Sequence, residues 1–165
     1  MDELLDSFQE AWSGRRRGAF AVVCAPDLHW TDPLGSGPVY GPEALADRAA
    51  TLWEAFPDAS VEAAGERLAN ERFVAAPVLF SGTHRSALGP IPATGRRITV
   101  HALLYCELDP PGERLWRVRA FFDTHDAAIQ LGVMPERGSL GEKAILLVRG
   151  FGLRRQGGDE VERRD

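Results

Sequence analysis

Three long segments in the second half of the chain alternate like β-strands, and they constrain the fold more than any other feature. They read RFVAAPVLFSGTH (72–84), RRITVHALLYCEL (96–108) and RLWRVRAFFD (114–123), all rich in branched and aromatic residues. The loop DPPGE between the last two has strong turn chemistry, which predicts an antiparallel hairpin. The segment ASVEAAGERLAN (59–70) fits a helix or a strand, and we favour a strand because three clearer strands follow it.

The first half of the chain has helical patterns. Leu4, Leu5, Phe8 and Trp12 recur at helical spacing, which predicts an amphipathic helix over residues 2–13. AFAVVCAP (19–26) predicts a second helical segment, and a proline is at the first turn of PEALADRAATLWEAF (42–56). Helices first and antiparallel strands later predict an α+β fold, with helices covering one face of the sheet.

Composition limits the classes of function. A chain of 165 residues suits one domain with a real core. The net charge of −5 argues against a nucleic-acid partner, and no apolar run is long enough to span a membrane. The acidic start MDELLDSFQE predicts a cytoplasmic protein. Cys24 and Cys106 lack metal-ligand spacing, as do the four histidines, so we expect buried, reduced thiols and no metal site.

Alternation along the middle strand separates two faces. Ile98, Val100, Ala102 and Leu104 form an aliphatic face, which we expect to meet the helices. The opposite face mixes histidine and tyrosine with apolar neighbours, and this composition predicts a ligand cavity. On the last strand, Arg119 and Phe121 occupy alternate positions that we assign to the same face. The candidate substrate-binding residues on this face are therefore His101, Tyr105, Arg119 and Phe121.

The carboxylate that ends the last strand has two interpretations. Asp123 can cap the helix that follows, or it can sit among apolar residues and transfer protons. Thr124 and Asp126 are also available as caps, and Gly132 can end the helix. Because Asp126 can serve as the cap, the helix does not need Asp123 for it, and the residues alone leave both roles of Asp123 open.

Two passages, FSGTHRSALGPIPATGRRITVH and RVRAFFDTHDAAIQLG, resemble the SnoaL-like polyketide cyclase family of the nuclear-transport-factor-2-like superfamily. The matching motifs are the Gly-Thr-His turn at 82–84, the P-x-T-G entry at 92–95, Asp123 with Asp126, and Gln-Leu-Gly at 130–132. WTDPLGSGPVYGPEAL is similar to the family's early strand–loop–helix passage. The resemblance covers roughly residues 5–135, and the order and spacing of the motifs carry it.

The resemblance implies a cone-shaped α+β fold in which N-terminal helices and a strongly curved antiparallel sheet enclose a pocket. It further implies a cofactor-independent cyclase or isomerase of secondary metabolism, which closes a ring in a hydrophobic, polyketide-like substrate by an aldol-type reaction. Asp123 matches the family's catalytic aspartate. His84 matches the family turn and is the second catalytic candidate, as a hydrogen-bond partner of the developing enolate. A homodimer through the outer sheet face is also expected. Further candidates for substrate binding flank the expected pocket mouth: His29, Trp30, Asp32 and Tyr40.

Two departures keep other functions open. Phe121-Phe122-Asp123 stands where the family often has His-Trp-Asp, and the segment after Gly138 is longer than the family fold requires. We therefore expect a cyclase domain at 1–138, an extension at 139–153 with a strand-like apolar core, and a disordered tail at 154–165. The alternatives are a non-catalytic hydrophobic-ligand-binding or scaffold protein, and an epoxide hydrolase on the same fold.

Overall fold

The computed structural model describes residues 1–35 and 37–148, without the side chains of residues 146 and 148. Helix α1 spans Asp2–Ser13, a short 3₁₀ turn spans Arg17–Ala19, and α2 spans Phe20–Val23. Helix α3 spans Gly41–Ala55 with a proline in its first turn, as predicted. Two further helices follow the strands, α4 at Thr124–Leu131 and α5 at Leu140–Val148.

In the described part of the chain, seven strands form one curved, unclosed sheet. Their bounds are Cys24–Thr31 (β1), Val39–Tyr40 (β2), Ser60–Ala63 (β3), Leu68–Ala69 (β4), Phe73–Thr83 (β5), Arg97–Leu108 (β6) and Leu115–Phe122 (β7). The order is β2-β1-β7-β6-β5-β3, and β4 also pairs with β5. All pairs are antiparallel except β1 with β7.

The strand directions bring three chain segments to one edge of the sheet. Strands β1 and β7 are parallel, and β5 runs in the direction of β7 because each is antiparallel to β6. The carboxyl ends of these three strands therefore lie at the same edge. The turn after Thr31, the turn at His84 and Asp123 all follow those ends. His84 and Asp123 thus follow strand ends at one edge, next to the turn after Thr31.

The core lies between the helices and the inner face of the sheet. Its aromatic centre joins α1, α2, α3 and β1, with ring centroids 5.5–6.4 Å apart: Phe8, Trp12, Phe20, Trp30 and Trp53. The Trp53 indole N–H donates to the backbone oxygen of Trp12 at 2.9 Å, which satisfies a polar group inside this cluster. Helices α1 and α3 are thereby fixed to each other above the sheet.

The predicted α+β class and the three long strands are confirmed, whereas two local predictions are wrong. The helical pattern of AFAVVCAP ends at Val23, and Cys24–Pro26 already belong to β1. The segment from Leu140 is a helix, not a strand. The chain divides into one unit at Met1–Val133 and another from Met134 onward. The predicted tail at 154–165 and part of the extension at 139–153 lie outside the described residues.

The two cysteines are free and buried, as predicted. Burial raises the pKa of both the Cys24 and the Cys106 thiol to about 12, so neither is a nucleophile near neutral pH. Within the described residues, no helix is both long and apolar enough to cross a membrane.

Candidate functional site

A cavity of about 140 Å³ opens between the inner face of the sheet and the helices. That volume is about ten times what one buried water requires, so the space suits an organic ligand. Aromatic and aliphatic side chains dominate the wall: Trp12, Trp30, Leu34, Leu52, Phe56, Val61, Val78, Phe80, Leu88, Ile98, Val100, Ala102, Leu104, Ala120, Phe122, Ala127 and Leu131. Asp32 is the one charged residue among the lining residues of the described chain.

The sequence-based assignment of the cavity to the His101 face of β6 is wrong. The aliphatic face, from Ile98 to Leu104, both packs against the helices and lines the cavity. The opposite face is the outer surface of the sheet, where Tyr105 is 43% and Phe121 is 53% exposed. His101 and Arg119 are exposed on that outer face. A half-exposed strand face also mixes polar and aromatic residues, so composition alone misassigned it.

Asp32 follows Thr31, the last residue of β1, and organises the turn at the cavity. Its carboxylate accepts hydrogen bonds from the Trp30 indole at 2.7 Å, from Arg48 Nε and Nη2 at 3.1 and 2.6 Å, and from the backbone N–H of Leu34 and Gly35 at 2.8 and 3.1 Å. Burial favours the neutral acid, but these donors outweigh it and hold the pKa of Asp32 below its ordinary value. Asp32 therefore stays an anion that fixes Trp30 and Leu34 in the wall.

His84 does not reach the cavity. It is fully buried behind Phe56, with the two rings 5.1 Å apart, and it is not among the residues that line the wall. Its Nδ1 accepts from the Thr94 backbone N–H at 3.3 Å and lies 3.2 Å from the Thr94 hydroxyl. The His84 backbone pairs with Gly95 and Arg96. His84 thus closes the base of the loop at 85–95, which supplies Leu88 to the cavity.

Asp123 is the N-cap of α4, so the expectation that Thr124 or Asp126 would cap is wrong. The Asp123 carboxylate accepts from the backbone N–H groups of His125 and Asp126 at 2.9 and 3.0 Å. The residue is exposed, directly after Phe122 in the cavity wall and four positions before Ala127. Both hydrogen bonds of the cap go to one carboxylate oxygen, Oδ1.

Gln130 fastens α4 to the sheet beyond the end of β7. Its amide donates to the Thr99 carbonyl at 2.9 Å and accepts from the Thr99 N–H at 2.7 Å, as a neighbouring strand would. Asp126 accepts from the same amide at 2.7 Å and orients it. The helix ends at Gly132, as predicted, in a left-handed conformation with φ of 78°.

The remaining candidates divide between the cavity and the outer face. Trp30 and Asp32 lie in the cavity wall, as expected at a pocket mouth. His29 and Tyr40 instead face each other on paired strands β1 and β2, with ring centroids 5.1 Å apart, and neither lines the cavity. Among the described residues, no group of three His, Cys, Asp or Glu side chains is arranged to hold a metal ion.

The family model for SnoaL-like polyketide cyclases matches residues 2–131. The chain belongs to this family. Its relatives among solved structures share the fold: a SnoaL-like polyketide cyclase from Agrobacterium tumefaciens is 17% identical with a TM-score of 0.65, over 79% of this chain and 97% of that one. A candidate polyketide cyclase from Acidithiobacillus ferrooxidans is 26% identical with a TM-score of 0.67, over 79% and 93%.

A third similar structure has a fold named after ketosteroid isomerase. This protein of Catenulispora acidiphila is 15% identical with a TM-score of 0.67, over 79% of this chain and 92% of that one. No curated protein matches the sequence. The comparisons thus establish the family and the ketosteroid-isomerase-like fold.

The geometry gives the motifs of this SnoaL-like chain a structural meaning. The Gly-Thr-His and P-x-T-G motifs are one unit, joined by His84 and Thr94. Gly82 belongs to it because a Cβ there would meet the Cβ of Phe56 at 3.0 Å. Sequence reasoning missed Arg48 as the partner of Asp32. Its position on α3 was visible in the sequence, but no spacing rule connects it with the end of a strand.

Proposed function

We propose that this protein is a cofactor-independent cyclase of secondary metabolism that closes a ring in a polyketide-like substrate by an intramolecular aldol reaction. The observation that carries the proposal is the apolar cavity, whose wall includes Phe122 and Ala127 on either side of the Asp123 carboxylate in sequence. A pocket of this kind folds a flexible chain and holds its reacting carbons together. Membership of the SnoaL-like cyclase family supports the same reaction class.

Asp123 supplies the proton transfers in this proposal. Its carboxylate removes a proton from a carbon next to a carbonyl group, and the electron pair of that C–H bond forms an enolate. The enolate carbon attacks a second carbonyl carbon of the same substrate, which forms the new C–C bond and an alkoxide. The alkoxide takes the proton back from Asp123, so no external acid, base or redox partner is consumed. His84 acts here only by positioning the loop that carries Leu88.

The test uses 2,6-undecanedione, a diketone with a hydrocarbon tail that closes to a cyclohexenone after loss of water. Asp123→Asn keeps an oxygen that can cap α4 but removes the base, so the rate of enone formation should fall at least ~100-fold. Glu54→Gln is the control, because it makes the same kind of change at an exposed carboxylate on α3 that does not line the cavity. It should leave the rate within about threefold of wild type, on the expectation that surface changes have small effects. Equal rates for Asp123→Asn and wild type would contradict the assignment.

A non-catalytic protein that binds a hydrophobic metabolite is the second candidate. The observation that favours it is the saturation of Asp32, whose two carboxylate oxygens already accept five hydrogen bonds. This function predicts ligand binding without any enone formation, and unchanged binding in Asp123→Asn. An epoxide hydrolase would need several polar groups to activate water. The described cavity wall offers one carboxylate, so the wall gives that alternative no support.

We also propose that two copies pair through the outer face of the sheet. Large apolar side chains are exposed there although the strands around them are ordered: Leu68 (72%), Leu103 (40%), Tyr105 (43%) and Phe121 (53%). Exposed apolar surface of this kind is typical of a protein interface. A cytoplasmic location is part of the same proposal, since the two free cysteines would remain reduced there.

A further inference from the structure

The cavity wall has very little capacity for hydrogen bonding. Of the lining residues in the described chain, three have a polar side-chain atom, namely Trp12, Trp30 and Asp32. The lining residues on β5, β6 and β7 have their backbone groups in the sheet ladder. Even the loop residues are engaged, because Leu34 N–H donates to Asp32 and Leu88 N–H donates to Ile91. A ligand inside the cavity must find its partners among three side chains.

Two of those three side chains are already occupied by each other. The Trp30 indole N–H donates to Asp32 Oδ2 at 2.7 Å, and the Arg48 guanidinium donates to both oxygens of the same carboxylate. Asp32 is an anion in this arrangement and has no proton to donate. The Trp12 indole N–H is the third polar group, and it takes no part in the hydrogen bonds to Asp32. The wall therefore offers a ligand at most one side-chain donor.

This shortage limits the chemistry of whatever enters the cavity. A carbonyl oxygen that loses water and gains no donor is strongly disfavoured inside a protein. An unreduced polyketide carries a carbonyl group on every second carbon, so several would be unpaired here. A reduced chain or a plain hydrocarbon ring has no such groups. It gains from the burial of its whole surface against Val78, Val100 and Leu104.

We infer that the cavity receives a reduced, oxygen-poor segment of the substrate with at most one hydrogen-bond acceptor. The oxygenated segment, which contains the reacting carbonyl groups, stays at the sheet edge where Asp123 and the turn after Thr31 lie. Leu34 is both 45% exposed and part of the wall, which marks that turn as the boundary between cavity and solvent. This inference rests on the proposed function in one respect, that the cavity is the ligand site.

A pair of isomeric ketones tests the inference without any turnover. 2-Nonanone can leave its carbonyl at the mouth and bury its seven-carbon tail, whereas 5-nonanone must bury its carbonyl in mid-chain. Titration calorimetry on the full chain should give about tenfold tighter binding of 2-nonanone, the size expected for one unpaired carbonyl. The same titration in Trp12→Phe, which removes the remaining donor but keeps an aromatic ring, should show this preference in full.

A second variant adds a hydrogen-bond donor to the cavity wall. Val100→Thr puts a hydroxyl on the cavity wall at nearly constant volume, so it should tighten the binding of 5-nonanone and reduce the preference. Val22→Thr is the control, because Val22 is 72% exposed on α2 and does not line the cavity. Equal binding of both ketones in wild type and in Trp12→Phe would overturn the inference alone. Absence of binding by both ketones would overturn the ligand site itself, and the proposed function with it.

Discussion

At the residue scale, His84 shows how a motif histidine can serve the fold. The Thr94 N–H donates to Nδ1, so the ring proton of the neutral tautomer is on Nε2. Within the described chain Nε2 is buried without a hydrogen-bond partner. Burial lowers the pKa of His84 below its ordinary value, because the charged form loses its water. The folded protein therefore prefers neutral His84.

This preference makes stability depend on pH. Below the ordinary histidine pKa of 6.5, the unfolded chain binds a proton at this site more readily than the folded chain does. The free energy of unfolding should therefore fall as the pH is lowered from 7 through 6.5, with a slope from His84 of at most ~1.4 kcal/mol per pH unit. Urea denaturation across this range measures the slope. In His84→Asn the slope should be smaller, and an unchanged slope would assign the pH dependence to other groups.

Gly132 and Gly112 separate two effects of a glycine-to-alanine change. Both have positive φ, 78° and 77°, so alanine at either position should cost about 1 kcal/mol of stability. A Cβ at Gly132 would also lie 2.6 Å from Arg96 Cζ, whereas none of the surroundings of Gly112 come within 4 Å. Gly132→Ala should therefore lower the free energy of unfolding more than Gly112→Ala does. Equal losses in urea denaturation would show that the arginine moves away freely.

Residue roles were harder to predict than residue positions. Asp123, Thr124 and Asp126 are all acceptable caps, and only the backbone conformation selects Asp123, with φ of −78° and ψ of 100°. The sequence alone does not determine those angles. Gly132, in contrast, was identified as the helix end because glycine adopts a left-handed conformation without strain.

At the element scale, α4 completes the edge of the sheet that β7 leaves open. Strand β7 ends at Phe122, opposite Ala102, while β6 has already run from Arg97. Gln130 fills part of this unpaired stretch by hydrogen-bonding both backbone groups of Thr99. Ala127 and Leu131 from the same helix close the cavity. The position of α4 and the shape of the cavity therefore depend on one side-chain amide.

Gln130→Leu should destabilise the protein by about 1–2 kcal/mol, because it leaves the N–H and C=O of Thr99 without this partner. Thr99→Ala is the matched control, because Gln130 bonds only to the backbone of Thr99 and alanine retains that backbone. Its effect should be less than half as large. Urea denaturation of both variants measures their free energies of unfolding. A larger decrease in Thr99→Ala than in Gln130→Leu would show that the hydrogen bonds of Gln130 are not the main contact at Thr99.

Most elements could be predicted because their patterns are long and periodic. Strands β5 to β7 alternate over eight to twelve residues, and α1 has four apolar residues at helical spacing. The short segments failed for the opposite reason. Cys24–Pro26 is too short to show a period, so strand pairing decides its structure. The apolar run AILLV inside Leu140–Val148 fits a helix as well as a strand.

At the scale of the whole sheet, its two faces have different roles. The inner face is aliphatic and divides its surface between helix packing and the cavity. The outer face exposes aromatic and aliphatic groups beside arginine and histidine. Alternation predicted these two groups of residues correctly, but assigned the cavity to the wrong one. The error has a physical cause, because a site for an apolar ligand resembles a core more than it resembles a surface.

If the outer face joins two copies, a charge at its centre should separate them. Leu103→Arg places the same charge on both sides of a symmetric contact, so the dimer should become monomer at micromolar concentration. Val22→Arg adds an equal charge on α2 and should leave the dimer intact. Sedimentation velocity distinguishes the two species. A Leu103→Arg protein that stays dimeric would exclude this face as the interface.

The proposed ligand site lies on the inner face of the sheet. Nuclear magnetic resonance tests it directly, through intermolecular Overhauser effects between the tail methyl of 2-nonanone and the methyl groups of the protein. We expect contacts to Val78, Val100 and Leu104, which line the cavity. Contacts to Leu103 and Leu79, which point away from the cavity on the opposite strand face, would instead place the ligand on the outer face of the sheet and exclude the cavity as its site.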